Sequence, residues 1–461
     1  MLTMNKITFS LYLFLFSLVS NSQCWKSVSA GGAHTIGITV DGALWSWGRN
    51  QVGQLGINTA TGTKKIPTRV GDETNWSKIS AGNAHNLALK IDGTIWTWGR
   101  NLKGQLGNGN LIQSNVPIQV GNENSWAQIA AGDEFCVALK SDGTLWAWGD
   151  NQYGQCGDGS NVDKLVPTQI GSLNTWQSIA AGTNHTMVIK TNGTLWGFGY
   201  NNSGQLGDGS NVAKNNPNQV GIDTNWQIAL CGIFHTVALK TTGKLFTWGD
   251  NTEGQLGIGN NVPKNTPQAV EPASNFSKIA KGQRHNVLLR PDNSLWSCGD
   301  NVQGQLGDGT VTDRNVLTPV TGSLTNWASV DSKVSHTAAL NSSGNLFMWG
   351  SNFYSQFGNN QTSSSSEPIS IECPGIFLAN ETFDADYNFS IYPNPASLVL
   401  KIKLVANEII NSIIVTDFSG KKVLIQKGNF NEISIENLAA GMYFLEINAT
   451  IRNYQTKFLK N

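Results

Sequence analysis

Seven tandem copies of one unit of about fifty residues fill positions 25 to 372, and this repetition constrains the fold more than any other feature of the sequence. Each copy carries a Trp-x-Trp-Gly step or a close variant, whose last glycine recurs every 50 or 51 residues, at Gly48, Gly99, Gly149, Gly199, Gly249, Gly299 and Gly350. Short apolar runs punctuated by glycine, without a helical period, indicate short strands. Because such a unit buries its faces only against its neighbours, the sequence predicts an all-β, seven-bladed β-propeller over residues 23–373.

The second copy illustrates the four strands that we expect in each unit. They lie around 79–81, around 87–90, at 94–98 and, after a polar loop, at 117–120. Asp92-Gly93 is a hairpin signal, because both central positions of a two-residue turn favour positive φ. The first copy starts at Trp25 without a proline strand ahead of it, and the last copy ends on an extra one. We therefore expect residues 368–371 to complete the blade that begins at Trp25.

The repeated steps Ala-Gly-x-x-His-Thr, Asp-Gly-x-Leu-Trp-x-Trp-Gly and Asn-x-x-Gly-Gln-Leu-Gly resemble the regulator of chromosome condensation repeat family. The resemblance covers about three quarters of the chain and implies the seven-bladed propeller of that family. In eukaryotic members the activity is nucleotide exchange on a Ran-type small GTPase. The uniform repeat length leaves no room for an inserted wedge that exchange would use, so exchange-factor-like activity ranks last among the alternatives.

The first 22 residues are typical of a secretory signal peptide. Lys6 precedes an apolar stretch from Ile7 to Val19, and small residues follow at Ser20 and Ser22. The alternative is a lipoprotein signal read through Cys24, although glutamine stands where a small residue should precede a lipidated cysteine. No other run approaches the roughly 18 apolar residues of a membrane span.

Residues 388–461, after a linker at 374–387, resemble the type A sorting domain of type IX secretion, a small β-sandwich found in Bacteroidetes. The resemblance rests on Tyr-Pro-Asn-Pro ending at Pro395, Gly-Lys at Gly420 and Gly-Met-Tyr at Gly441. It implies that the domain contacts the secretion machinery and takes the protein across the outer membrane of a Bacteroidetes-type bacterium, to the cell surface or the medium. The alternative is an ordinary adhesive β-sandwich.

The charge balance gives no support for a nucleic acid partner. Lysine and arginine together equal aspartate and glutamate at 31 each, so the chain has no overall field that would favour a polyanion. We expect a protein or glycan partner outside the cell.

No residue pattern indicates a catalytic centre, a cofactor or a metal site. All six histidines occupy one slot of the repeat, which holds Phe135 in the third copy, so we interpret them as buried structural residues rather than as ligands. Loops such as 150–159 resemble a calcium loop in composition but lack its closing glutamate, and we interpret their glycines as turn formers. We expect a protein that is not an enzyme.

The sixteen tryptophans also follow the repeat. We interpret them as packing between blades, with sugar stacking by an exposed pair as the alternative. An extracellular glycan-binding or polysaccharide-active protein is therefore the second functional hypothesis, after a protein-binding or adhesion module.

The six cysteines fall into two groups. Cys136, Cys156, Cys231 and Cys298 replace different repeat residues and are expected to be buried thiols. Cys24 and Cys373 flank the array. Aligned with the continuous second unit, Cys373 occupies the slot of Asp72 and Cys24 that of Asn75, three residues apart in a turn, which predicts a Cys24–Cys373 disulfide in an oxidising compartment.

Two sets of loop residues are candidates for partner binding, because variable loops on a rigid frame commonly carry recognition. One set comprises the loops between Gly-Gln-Leu-Gly and the next proline, for example 110–116, 160–166 and 210–216. The second comprises dipeptides that precede the histidine slot: Asp133 and Glu134, Ile233 and Phe234, Gln283 and Arg284.

Overall fold

The computed structural model describes residues 24–270, 275–322, 326–374, 390–404, 409–417, 421–428, 430–450 and 453–461. The chain divides into two compact units, Met1–Ile376 and Phe377–Asn461. The predicted signal peptide at 1–22 and nearly all of the predicted linker lie outside the described residues. No helix in the described part of the chain is long and apolar enough to cross a membrane.

The described residues of the first unit form 28 strands in seven sheets of four. Their bounds are β1 Trp25–Ala30, β2 His34–Thr39, β3 Leu44–Arg49, β4 Thr63–Arg69; β5 Trp76–Ala81, β6 His85–Lys90, β7 Ile95–Gly99, β8 Ser114–Gln119; β9 Trp126–Ala131, β10 Phe135–Lys140, β11 Leu145–Gly149, β12 Lys164–Gln169; β13 Trp176–Ala181, β14 His185–Lys190, β15 Leu195–Gly199, β16 Lys214–Gln219; β17 Trp226–Cys231, β18 His235–Lys240, β19 Leu245–Gly249, β20 Lys264–Ala269; β21 Lys278–Lys281, β22 His285–Leu289, β23 Leu295–Gly299, β24 Arg314–Pro319; β25 Trp327–Lys333, β26 His336–Asn341, β27 Leu346–Gly350 and β28 Ser365–Ile371.

Every sheet consists of four consecutive antiparallel strands, which makes each blade a contiguous piece of chain. The expectation that residues 368–371 complete the first blade is wrong. Strand β28 pairs with β27 of its own blade, and β4 fills the fourth position of the blade that begins at Trp25. The reason is that Pro67 of the first unit follows its Trp-x-Trp-Gly step, so a unit counted from its opening tryptophan already contains its own proline strand.

Turn chemistry defines the strand ends within a blade. Gly93 follows Asp92 with φ of 82°, and the Asp92 carboxylate accepts the backbone N–H of Thr94 at 3.0 Å. At the other end of the sheet, His85 pairs with Gly99 and Gly99 pairs with Ser114. The predicted hairpin is present in the second blade, but the two-residue turn is wrong. The Gly93 N–H donates to the carbonyl of Lys90 at 3.1 Å, which makes Ile91 and Asp92 the central residues, and of Asp92 and Gly93 only the glycine has a positive φ.

The apolar core lies between adjacent blades. Trp148 of blade 3 is buried against Leu87, Leu89 and Ile95 of blade 2, and its indole N–H donates to the carbonyl of Gln105 in blade 2 at 3.0 Å. The same bond from one blade to the preceding one recurs for Trp47, Trp98, Trp248 and Trp349. The interpretation of these tryptophans as packing between blades is confirmed.

The ring closes between blade 7 and blade 1 without a shared strand. Trp47 of blade 1 donates its indole N–H to Gln356 of blade 7 at 2.8 Å, and Cys24 forms a disulfide with Cys373 across the same seam, with their Cα atoms 6.0 Å apart. The disulfide prediction is therefore confirmed in this structure. The other four cysteines are free and buried, as expected.

The second unit is an all-β domain with two sheets, ordered β29–β30–β33 and β32–β31–β34–β35. Leu400, Ile413, Ile447 and Phe458 are central residues of its apolar core. The strands are β29 Ser390–Tyr392, β30 Val399–Lys403, β31 Ile410–Asp417, β32 Lys422–Lys427, β33 Glu432–Ser434, β34 Gly441–Ala449 and β35 Asn453–Lys460.

Candidate functional site

Both predicted sets of recognition loops lie at one end of the propeller. The turn between the first two strands of a blade, the Asn-x-x-Gly-Gln-x-Gly loop and the start of the fourth strand all meet there, because His85 pairs with Gly99 and Gly99 with Ser114. We call this end the binding face. The sequence presented these loops as two separate candidates, and the register of the blade brings them together.

All six candidate dipeptide residues are partly exposed on the binding face. Several are engaged in ion pairs: Glu134 lies 3.3 Å from Arg100, and Arg284 lies 3.1 Å from Glu253. Each of these pairs joins two adjacent blades. Charged groups on this face thus cross-link neighbouring blades, and the mixed chemistry predicted from the dipeptides is present with its charges partly neutralised.

An asparagine in each blade holds the variable loop. The buried Asn201 side chain accepts the N–H of Leu206 at 2.9 Å and donates to the carbonyls of Ser210 and Val212 at 3.1 and 3.2 Å. Equivalent bonds are made by Asn50, Asn101, Asn151, Asn251, Asn301 and Asn352. The loops therefore vary in sequence while their anchor stays constant, a role that the repeat pattern displayed and sequence reasoning did not assign.

Three aromatic side chains form a strip across blades 3, 4 and 5 of the binding face. Tyr153 and Tyr200 meet edge to face with ring centroids 4.8 Å apart, and Tyr200 lies 5.6 Å from Phe234. All three are partly exposed. In the remaining blades the Tyr200 and Phe234 slots hold only non-aromatic residues, and the Tyr153 slot is aromatic only in blade 7, where it holds Tyr354. The propeller fold therefore does not require an aromatic ring in any of the three slots. Of the candidate residues that the sequence indicates, only Phe234 belongs to this strip, and no sequence pattern singled out the two tyrosines.

Each histidine side chain contacts a side chain of the neighbouring blade. His34 Nε2 donates to Asn86 Oδ1 at 2.8 Å, and around the ring His336 Nε2 lies 3.3 Å from Thr35 Oγ1. All six imidazoles are buried, and burial lowers the pKa of His34 to about 4 and that of His336 to about 3. A neutral imidazole between two blades fits the structural interpretation.

Among the described residues, Cys136 and His85 come closest to forming a thiol–imidazole pair. The Cys136 Sγ lies 3.2 Å from His85 Nε2. Both groups are fully buried. Burial raises the pKa of the Cys136 thiol well above its usual value, so the reactive thiolate is disfavoured. Three or more histidine, cysteine, aspartate or glutamate side chains that could hold a metal do not come together anywhere in the described ranges.

Lysine or arginine covers four of the five partly exposed tryptophans at the opposite end of the blades, and Trp45 has no described cation over its ring; Arg290 lies 3.7 Å from the ring centroid of Trp296. Lys90 Nζ lies 3.6 Å from the ring centroid of Trp96 and 2.7 Å from the carboxylate of Glu73. Lys140 and Lys190 cover Trp146 and Trp196 in the same way, each at 3.8 Å. Because a sugar would have to displace the lysine from the indole face, this arrangement does not favour the glycan hypothesis.

The matching family models agree with this architecture. The RCC1-like domain model matches residues 13–321, an RCC1 repeat model matches 327–356, and a secretion system C-terminal sorting domain model matches 390–461. The chain belongs to the RCC1-like domain family. Its sorting domain indicates export by type IX secretion, and contact with the secretion machinery follows from that domain.

Curated relatives match the RCC1-like part over short stretches. The chain is 36% identical over 89 residues to a probable E3 ubiquitin-protein ligase, HERC3, of Homo sapiens, covering 19% of this chain and 8% of that protein. It is 34% identical over 91 residues to the ultraviolet-B receptor UVR8 of Arabidopsis thaliana, covering 20% and 21%. With a Danio rerio RCC2 homolog, identity is 44% over 80 residues, covering 17% and 16%. The chain thus spans about a fifth or less of these relatives.

Solved structures share the fold at low identity. Prp20p of Saccharomyces cerevisiae, whose structure was described with its binding properties to Gsp1p and histones, matches with a TM-score of 0.65 and 21% identity over 80% of this chain and 90% of that chain. Human WBSCR16 matches with a TM-score of 0.63 and 23% identity over 69% and 87%. These likenesses show the RCC1 propeller fold.

Proposed function

We propose that this exported RCC1-like protein is a noncatalytic module that binds a protein partner outside the cell through its binding face. The observation that carries the proposal is the strip of Tyr153, Tyr200 and Phe234. In a ring where structural aromatics recur at fixed slots, these three occupy slots that the fold leaves free. Tyrosine is enriched among the residues that dominate binding energy at protein interfaces.

The surroundings of the strip suit recognition by a protein. Ion pairs between blades, such as Arg284 with Glu253, keep the loops beside the aromatics in place. The buried asparagine anchors do the same for the variable loops. A rigid, partly apolar patch with a charged rim loses little conformational entropy when a partner binds.

Export supports an extracellular partner. The sorting domain at 390–461 directs the chain to type IX secretion, which fits a protein held on the cell surface or released, as the sequence predicts for a Bacteroidetes-type bacterium. A cytosolic GTPase would not be met there, so exchange-factor-like activity has no support from this architecture.

Affinity capture with the full-length exported protein tests the proposal. Proteins released from the outer surface of the native host are captured on the wild type and on a Y200A/F234A variant. The control is I222A, which removes an exposed apolar side chain from the opposite end of the propeller. A partner retained by wild type and I222A but weakened at least tenfold by Y200A/F234A supports the proposal. Equal capture by all three, or binding only to a glycan array, contradicts it.

A further inference from the structure

The channel along the propeller axis is lined by the first strand of every blade, and two adjacent blades alter its chemistry. Alanine or cysteine occupies one slot in the first five blades, where blade 6 has Lys281. Glycine occupies the next slot in the first six blades, where blade 7 has Lys333. At each slot the other six blades have no lysine, so the fold does not require a cation at either position.

Lys333 spans the channel at the end that opens toward the binding face. Its side chain starts on blade 7, and its Nζ donates to the carbonyls of Ala131 and Gly132 on blade 3 at 3.1 and 3.4 Å. Asp133 Oδ1 lies 3.9 Å from the same ammonium group. Lys333 is 5% exposed, so it forms a lid over the space below it.

Below this lid is a chamber of about 180 Å³, lined mostly by alanine, serine, isoleucine and leucine side chains. Lys281, Asp331 and Lys333 are the charged residues among its lining. Asp331 Oδ2 accepts the backbone N–H of Ala30 at 2.9 Å. Lys281 is partly buried, and its side chain forms no hydrogen bond or ion pair with any residue that the structure describes.

Two cations that line the same small chamber repel each other. Burial, followed by the charge of Lys281, lowers the pKa of Lys333 to about 7, against the opposing effects of Asp133 and Asp331. A negative charge in the chamber would offset both the desolvation and the repulsion. The unpartnered ammonium of Lys281 offers such a group up to three N–H donors.

We propose that the chamber binds one small oxyanion, a carboxylate or an inorganic phosphate, between Lys281 and Lys333. A free small anion fits better than the end of a peptide, because the Lys333 lid closes the channel toward the binding face and the space below it is small. Binding should favour protonated Lys333, whose charge is also influenced by Lys281, Asp133, Asp331 and Cys136. The affinity should therefore fall as the pH rises above about 7.

Calorimetric titration of the full-length protein with acetate and with phosphate, at an ionic strength kept constant with chloride, tests this proposal. The wild type should show saturable binding of one anion, with weaker affinity at pH 8.5 than at pH 6.5. K281M should weaken binding at least tenfold, K281R should retain most of it, and the exposed-site control K244M should match the wild type.

Two results would overturn the proposal. One is the absence of saturable binding of either anion to the wild type, a result that does not depend on how any variant folds. The other is equal binding by wild type and a K281M protein with native circular dichroism. Saturation by acetate alone or by phosphate alone would identify the oxyanion class that the chamber accepts.

Discussion

Each histidine lies between two blades, where its Nε2 meets a side chain of the next blade and the ring is shielded from water. In the folded state burial lowers the pKa of His85 and His185 to about 3 and that of His235 to about 4, against 6.5 for an unperturbed imidazole. The unfolded chain therefore binds more protons than the folded chain between about pH 6.5 and 4. The stabilising effect is complete above pH 6.5 and is lost as the pH falls through this window.

We expect acid unfolding with a midpoint between about pH 4 and 6, since each histidine contributes a slope of about 1.4 kcal/mol per pH unit. H185F should reduce that slope by the contribution of one histidine. The variant should still fold, because Phe135 already fills the equivalent slot in blade 3 and Thr236 keeps its bond to Gln205. Urea unfolding at several pH values measures the slope, with K244M, a change at an exposed site, as the control. An H185F slope equal to that of wild type would contradict the prediction.

Lys333 should make the free energy of unfolding depend on pH in the alkaline range. Its pKa of about 7 in the folded protein lies below the usual 10.5, so the unfolded chain binds the additional proton between these values. Stability should rise with pH from about 7 to 10 by up to about 1.4 kcal/mol per unit from this residue alone. K333M should remove that rise. The difference in unfolding free energy between wild type and K333M, measured across this range, should change with pH; a constant difference would show that Lys333 does not titrate there.

At the scale of the strand and loop, the asparagine anchor is the feature most open to test. N201A removes one acceptor and two donor bonds from a buried loop, and we expect a loss of about 2 to 4 kcal/mol because buried backbone groups lose their partners. Hydrogen exchange should rise at Leu206, whose N–H loses its acceptor. N202A, an exposed neighbour in the same loop, is the control. Unchanged exchange at Leu206 would contradict the anchoring role.

The sequence predicted the elements well where the repeat itself carried the information. The Asp92-Gly93 turn and the tryptophan slots indicated both the strands and the blade number. Strand β5 begins at Trp76, three residues before the expected run, because the register shift between Trp76 and Lys78 interrupts the alternation. Strand β8 begins at Ser114, three residues before the expected start at Pro117, since the outer strand of a blade has a free edge that tolerates a proline inside it.

The site could be predicted only in part, because its parts meet through the curvature of the ring. Phe234 was recognised as a departure from the repeat, but its contact with Tyr200 depends on how adjacent blades are inclined. Lys333 reaches Ala131 across 202 residues of sequence, and no local pattern signals that meeting. Cys24 and Cys373 were predictable because an intact unit elsewhere in the chain shows the geometry of the missing connection.

At the scale of the whole molecule, six seams between blades are continuous chain and the seventh is closed by the disulfide. Its loop of 349 residues corresponds to about 6 kcal/mol of stabilisation in the chain-entropy model, as an upper limit. We expect C24A/C373A to lower the free energy of unfolding by about 3 to 6 kcal/mol. A reductant should destabilise the wild type and leave C24A/C373A unchanged. Equal unfolding of oxidised wild type and the double variant would contradict this role.

The position of that disulfide also determines how the propeller responds to tension. While the sorting domain is attached, a pull on it reaches the propeller just after Cys373, next to the outer strand β28. Without a cross-link, β28 would separate from β27 one hydrogen-bonded pair at a time, which is the easiest way to open a sheet. The disulfide diverts the pull at Cys373 to Cys24, at the start of the innermost strand of blade 1, so the outer strand is not peeled first. A propeller tethered to a cell in moving fluid would gain mechanical resistance from this one bond.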